Sequence, residues 1–122
     1  MTIVLELPLP PSVNGLYANR KGGKGKGRYP TKAYKSWLAQ ADLYFLTQKR
    51  DLPREPLLGQ LRLEIIIPAT TRGDASNRIK AVEDFLVSRN ITGDDRNNWE
   101  VTIKRDKSIG CCRVTATVLS SC

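Results

Sequence analysis

The sequence predicts a single α+β domain, residues 1–122, in which a mixed β-sheet is packed by two helices in the order β-α-β-α-β-β. Three observations lead to this class. The chain has 122 residues, which is the usual size of one domain. Four segments alternate apolar and polar residues as strands do, and two others repeat apolar residues at helical spacing. The sequence contains no internal repeat.

The first half of the chain supplies a strand, a loop and a long helix. Residues 2–7 read as an edge or near-edge strand that ends at Pro8, because proline cannot donate to a sheet ladder. The loop over 12–32 includes a flexible basic stretch at 20–28, whose glycines prevent regular structure. Apolar residues recurring at helical spacing predict an amphipathic helix over 31–50.

The second half supplies a strand, a helix and two further strands. Polar residues suited to capping precede the helix, and the link at 107–110 is short enough for a hairpin between the last two strands. The predicted elements are a connector over 51–59, a strand over 60–67, a helix that Asp74, Ser76 or Asn77 caps and that runs to about Arg89, and strands over 99–105 and 112–119.

The second helix is amphipathic in an unusual way. One side carries Ile79, Val82, Phe85 and Leu86 and should face the sheet. The other side is chemically dense, with polar residues within roughly a third of the helical circumference: Ser76, Asn77, Lys80, Glu83 and Asp84. An ordinary solvated face with a Lys80–Asp84 ion pair, worth ~0.2–0.5 kcal/mol, is the alternative interpretation.

Charge favours a polyanionic partner. Lysine and arginine outnumber the acids 20 to 12, which leaves a net charge of +8 at pH 7. Because basic groups on phosphates release counterions, nucleic acid is the first candidate and a membrane surface the second. A membrane partner is not expected, since no apolar run approaches the ~20 residues that span a bilayer and the basic residues do not form one amphipathic helix.

Cysteine and histidine usage restricts compartment and chemistry. Adjacent Cys111 and Cys112 cannot form an ordinary bridge, and together with Cys122 they predict free thiols. No signal-peptide pattern begins the chain, so we expect a cytoplasmic protein. The absence of histidine excludes Ser-His and Cys-His nucleophiles and the usual zinc sites. Hydrolytic chemistry must then depend on carboxylates, lysine and metal, without a small-molecule cofactor.

Acidic residues concentrate between Asp74 and Asp95, a stretch that holds five of the chain's 12 acids. Mg²⁺ prefers oxygen ligands and keeps several waters, so Asp74, Asp94 and Asp95 are candidate metal ligands. Asp74 precedes the second helix and the other two follow it, so the segment over 89–95 must bring the chain back, which its length allows. Such a metal would activate water and neutralise charge on a leaving oxygen.

Lys80 lies among these acids and suits an electrophilic role toward phosphate. Asp74, Lys80 and Asp95 are therefore the candidate catalytic residues. Asp84, one helical turn from Lys80, would hold the ammonium in place, and Asn77 would cap the helix or orient Asp74.

Two groups of residues resemble the RusA family of Holliday-junction resolvases, which are phage and prophage endonucleases. Leu7-Pro8-Leu9-Pro10-Pro11-Ser12-Val13-Asn14 is similar to the family's opening. Asp74-x-Ser76-Asn77, Lys80, Asp84 and the Asp94-Asp95 pair resemble its Asp-x-Asp-Asn-x-x-Lys-x-x-x-Asp core and later Asp-Asp. The resemblance implies a homodimer that uses Mg²⁺ or Mn²⁺ to cut four-way DNA junctions by paired symmetric nicks.

Ser76 departs from that pattern, since the family has a metal-binding aspartate there. A serine hydroxyl is a poorer partner for a hard cation. Glu83 would replace the lost carboxylate, or Ser76 would cap the helix while the remaining acids hold a more hydrated ion. A protein that binds junctions but cuts poorly is the third possibility.

Basic residues near these motifs are the candidate DNA contacts, because phosphate contacts position DNA without reading its sequence. They are Arg20, Lys21, Lys24, Lys26, Arg28, Arg72 and Arg78. Trp37 and Trp99 are expected in the core or a dimer contact. Two rival functions stay open: a nucleic-acid-binding module without catalysis, and a nuclease for branched DNA in general.

Overall fold

The computed structural model describes residues 1–19 and 28–119, and it confirms a single α+β domain with a mixed sheet and two helices. The predicted strands and helices are present within a few residues of their expected bounds. The elements are β1 (Thr2–Leu7), β2 (Tyr17–Asn19), β3 (Arg28–Pro30), α1 (Lys32–Gln48), β4 (Leu61–Pro68), α2 (Ile79–Ser88), β5 (Asn98–Asp106) and β6 (Cys112–Val118).

The main sheet has the order β1-β6-β4-β5. β6 runs antiparallel to both β1 and β4, whereas β4 and β5 are parallel. β1 is an edge strand, as expected. Along β4, four inward side chains are completely buried while Arg62 and Glu64 on the opposite face are exposed. One face of the sheet is therefore covered by the helices, and the other is open.

The predicted hairpin between β5 and β6 is wrong, because β4 lies between these two strands. The link over 107–111 passes the Pro68 end of β4. Two strand spacings are about 10 Å, and five residues can span that distance at ~3.3–3.6 Å each, so link length alone did not distinguish the two topologies. Alternation does not distinguish them either, since the edge strand β1 and the central strand β4 both alternate buried and exposed residues.

The loop prediction over 12–32 also missed a small sheet. β2 and β3 pair antiparallel, with Tyr17 opposite Pro30 and Asn19 opposite Arg28. The flexible stretch predicted at 20–28 lies outside the described residues except for its last residue, Arg28, which begins β3.

The helices are joined by aromatic packing over the sheet. Trp37 of α1 contacts Phe85 of α2 edge-on, with ring centroids 5.7 Å apart. Its indole N–H donates to the Pro8 carbonyl at 3.0 Å. Trp37 is thus a core residue as expected, whereas Trp99 is 64% exposed and its predicted core position is wrong. A dimer contact at Trp99 stays a prediction.

The α2 face predicted to meet the sheet does so. Val82, Phe85 and Leu86 are buried, and Ile79 packs partly buried against the same core. α2 lies in the connection between the parallel strands β4 and β5. Because one side of this helix packs against the core, its opposite side carries the polar residues.

Cys111 and Cys112 are free thiols, and burial raises the pKa of Cys112 to about 12. Cys122 lies outside the described residues. In the part of the chain that the structure describes, no helix is long and apolar enough to cross a bilayer.

Candidate active site

A loop over residues 69–74 follows β4 and carries Asp74. The Ala69 N–H donates to the Asp106 carbonyl at 3.1 Å, so the loop leaves the sheet beside the end of β5. Gly73 has φ +81°, a conformation that favours glycine. Asp74 follows directly and is exposed. The loop therefore presents this carboxylate to solvent at one end of α2.

α2 begins through a 3₁₀ turn at Ala75–Arg78, and the expected side-chain cap is wrong. Among the described residues, neither Asp74 before the turn nor Arg78 before α2 makes a side-chain capping hydrogen bond. The Asn77 N–H donates instead to the Asp74 backbone carbonyl at 3.2 Å. The Asp74 carboxylate is thus not used by the helix.

Lys80, in the first turn of α2, lies between two carboxylates. Its Nζ is 3.1 Å from Asp84 Oδ1 and 3.8 Å from Asp95 Oδ2. The hydrogen bond to Asp84 is the main cause that raises the pKa of Lys80 above its ordinary value, and Asp95 adds to it. The predicted Lys80–Asp84 pair is confirmed. The ammonium keeps its proton at neutral pH and is a fixed positive charge.

The segment over 89–95 returns the chain to α2, as the sequence required. Asn90 has φ +57°, a left-handed conformation that asparagine tolerates and that ends helices. The Ile91 N–H then donates to the Leu86 carbonyl at 2.9 Å. This tight turn places Asp95 within ion-pair distance of Lys80.

Asp94 is held by the turn that it begins. Its Oδ1 accepts the Arg96 backbone N–H at 3.0 Å, and its Oδ2 lies 2.9 Å from Arg96 Nε. The backbone hydrogen bond is the main cause that lowers the pKa of Asp94. This carboxylate is charged at neutral pH, with its orientation fixed next to Asp95.

The carboxylates of the site suit an Mg²⁺ or Mn²⁺ ion that keeps several water ligands better than an ion whose ligands are all protein groups. No three or more His, Cys, Asp or Glu residues within 1–19 and 28–119 are grouped to hold a metal. Mg²⁺ needs only one or two carboxylates beside water and substrate oxygens. Asp84 and Asp95 already converge on one cation, the Lys80 ammonium. In that part of the chain, no ion pair or hydrogen bond joins Asp74 to them.

An open cleft of about 520 Å³ lies beside these acids. Its lining includes Asp84, Asp94 and Asp95, together with Arg89 and Tyr34 from the α2–α1 contact. Arg89 forms an ion pair with Asp42 of α1. The cleft therefore has room for a phosphate-bearing ligand next to the charged cluster.

The same residues fall within a family match. The family profile described as Endodeoxyribonuclease RusA matches residues 8–118, which span the N-terminal motif, the acidic loop and Lys80. The chain belongs to the RusA endodeoxyribonuclease family. RusA membership implies a nuclease that acts on branched DNA junctions. No curated protein matches the chain significantly.

This RusA chain departs from the family pattern at Ser76. Glu83 was expected to replace the carboxylate that is missing there. Ser76 is exposed in the 3₁₀ turn, and its carbonyl accepts the Ile79 N–H. Glu83 accepts a hydrogen bond from Asn98 Nδ2 at 2.8 Å. The proposed replacement of the missing aspartate by Glu83 stays a prediction, and it requires Glu83 to bind a metal with the oxygen that Asn98 does not use.

The basic residues predicted to contact DNA fall into three groups. Arg20, Lys21, Lys24 and Lys26 lie outside the described residues, and only the backbone of Arg28, in β3, is described. The Arg72 side chain is exposed and makes no ion pair or hydrogen bond with any described residue. Arg78 instead binds two backbone carbonyls of the protein.

Sequence reasoning missed two residues beside the site. Asn98 holds Glu83, and Arg105 Nη2 donates to the Gly73 carbonyl at 2.5 Å. Both belong to β5, which the sequence did not place next to the acidic loop. No local pattern identifies them, because their partners are 15 and 32 residues away.

Proposed function

We propose that the protein is a metal-dependent endodeoxyribonuclease that resolves Holliday junctions by paired symmetric nicks. One observation carries this function: Lys80 is held between Asp84 and Asp95 at the side of an open cleft, within residues that match the RusA family. A fixed cation next to partly exposed carboxylates is suited to phosphodiester chemistry.

Asp74, Asp94 and Asp95 are the proposed ligands of Mg²⁺ or Mn²⁺, with Glu83 as the alternative. When bound, the ion supplies Lewis acidity toward phosphate oxygens and lowers the pKa of a coordinated water. Asp94 and Asp95 are adjacent, and Asp94 is charged because of its bonds to Arg96.

Lys80 has the proposed role of stabilising negative charge that develops on the phosphate. Its raised pKa favours a permanent charge over a general-base role. Asp84, which lines the cleft, holds the ammonium at 3.1 Å and would keep it beside the cleft. Asn77 and Ser76 lie in the turn after Asp74 and are proposed to support that loop.

Paired nicks require two active sites related by two-fold symmetry, so we propose a homodimer. Four-way DNA junctions fit the net charge of +8. Arg72 and the basic residues over 20–28 are the proposed phosphate contacts outside the catalytic cluster.

The test is cleavage of synthetic four-way junctions with added Mg²⁺ or Mn²⁺. Asp74→Asn and Asp95→Asn should each abolish cutting while junction binding persists. Asp51→Asn is the matched control, since this exposed acid lies in the turn after α1. Full cleavage by both site variants would reject the metal-site assignment.

A junction-binding protein without strong catalysis is the second candidate, because Ser76 replaces a carboxylate of the family pattern. It predicts tight junction binding with no metal-dependent cutting by the natural chain. A general nuclease for branched DNA predicts equal rates on junctions and simple forks, so a substrate panel separates the three functions. Glu83→Gln should impair metal-dependent cutting if Glu83 replaces the missing ligand.

A further inference from the structure

The acidic loop at 69–74 is connected to the rest of the fold mainly through backbone carbonyls. The loop is exposed around Asp74, and no described residue binds the Asp74 carboxylate. Its carbonyls at Arg72 and Gly73 instead accept hydrogen bonds from two guanidinium groups. The position of Asp74 therefore depends on contacts made by its neighbours.

Arg78 joins the loop to the N-terminal motif. Its Nη1 donates to the Pro10 carbonyl at 2.5 Å, and its Nη2 donates to the Arg72 carbonyl at 3.1 Å. Pro10 is 68 residues from Arg78, so one side chain links the two segments that resemble the family. The Arg78 Nε is buried and has no hydrogen-bond partner among the described residues. The guanidinium group therefore lies between the two segments.

Arg105 holds the same loop from the other side. It projects from the edge strand β5 and donates from Nη2 to the Gly73 carbonyl at 2.5 Å. Two arginines thus bind two consecutive carbonyls, and the next residue is Asp74. The planar guanidinium fork suits such contacts, and a lysine ammonium does not reproduce the geometry.

We propose that Arg78 and Arg105 are positioning residues that hold Asp74 in place for metal binding, and that Arg78 does not act by contacting DNA. The role rests on the proposed nuclease function, because it assumes that Asp74 is a metal ligand. Arg72 keeps the phosphate-contact role, since its side chain is exposed and makes no ion pair or hydrogen bond with a described residue.

The first experiment measures the loop itself. Hydrogen exchange of the full-length protein without DNA should show faster exchange of the Thr71 and Asn77 amides in Arg78→Lys and Arg105→Lys, because these two N–H groups donate to the Pro68 and Asp74 carbonyls on either side of the held segment. Exchange within α2 should stay as in the wild type. Unchanged exchange at Thr71 and Asn77 overturns the proposal, whether or not the protein proves to be a nuclease.

The second experiment measures metal binding and DNA binding separately. Mn²⁺ binding, followed by paramagnetic relaxation of the DNA-free protein, should weaken by about 10-fold to 100-fold in both variants, the range for residues that orient metal ligands. The salt dependence of junction binding should be unchanged in Arg78→Lys and Arg78→Gln. In Arg72→Gln its slope should fall by about 0.9, the value for one lost phosphate contact.

Three results would overturn the proposal. One is a reduced salt slope in Arg78→Gln with full recovery in Arg78→Lys, which is the behaviour of a DNA contact. Another is faster loop exchange with unchanged Mn²⁺ affinity, which makes the arginines merely structural. The third is wild-type behaviour throughout. If Arg78 variants fail to fold, as judged by thermal melting, Arg105→Lys and Arg105→Gln carry the same test from the edge strand.

Failure of the proposed function has a different signature. A wild-type protein that binds no Mn²⁺ and cuts no junction would reject the nuclease proposal. A wild-type protein that binds Mn²⁺ through Asp74, but whose affinity does not depend on Arg78 or Arg105, would reject only the positioning role.

Discussion

Asp84→Asn separates the proposed catalytic role of Lys80 from its contribution to stability. The substitution removes the charge that lies 3.1 Å from Lys80 Nζ and keeps the shape of the side chain. Asp95, at 3.8 Å, becomes the remaining anionic partner of the ammonium. The ammonium should move toward Asp95 and away from the position in which Asp84 holds it.

The expected cost in stability is small. The two side chains are 48% and 28% exposed, so an i,i+4 pair of this kind contributes about 0.2–0.5 kcal/mol. In a domain of this size the melting temperature should fall by at most about 3 °C. Cleavage should fall much further, by about 100-fold, because misplacing a catalytic group by about 1 Å has that effect.

Three measurements test this prediction: thermal melting, single-turnover cleavage of a four-way junction, and NMR titration of the Lys80 side chain. The pKa of Lys80 should fall toward 10.5 when its main partner is lost. Glu100→Gln is the matched control, since it breaks a half-exposed ion pair with Arg62 on the open sheet face. Equal cleavage by Asp84→Asn and Glu100→Gln would refute the reasoning.

Three further predictions concern packing, pH and exposure. Phe85→Ala should cost about 3–5 kcal/mol in urea unfolding, because the ring is fully buried and contacts Trp37. Asp42→Asn should lower the melting temperature at pH 7, because Arg89 lowers the pKa of Asp42 in the folded protein; the difference should begin to shrink near the ordinary Asp pKa of 3.8 and disappear once pH falls through the lowered folded-state pKa. Trp99→Phe should remove most acrylamide-quenchable tryptophan emission, since Trp99 is 64% exposed and Trp37 5%.

Each of these predictions has a contrary result. A Phe85→Ala cost near 1 kcal/mol would contradict its place in the core. A pH-independent effect of Asp42→Asn would mean that its ion pair with Arg89 does not stabilise the fold. Protection of Trp99 from acrylamide in the DNA-free protein would show that another surface covers it, as a dimer contact there requires.

The sequence by itself determined the type of most elements and the Lys80–Asp84 pair of the candidate site. Alternation along β4 and helical spacing along α2 are local patterns, so they predicted a strand and a helix with the correct buried faces. The Lys80–Asp84 pair was predictable for the same reason, since i,i+4 residues are neighbours on any helix. The short β2 and β3 were missed because they carry no clear alternation.

Only the tertiary structure decided how these pieces meet. It placed β4 between β5 and β6, brought Asp95 back to Lys80, and put Arg105 against the loop that carries Asp74. It also assigned Arg78 to backbone carbonyls rather than leaving it exposed. These contacts join residues far apart in the chain, so no local pattern predicts them: β4 pairs with β5 on one side and β6 on the other, and this strand order sets where each loop emerges.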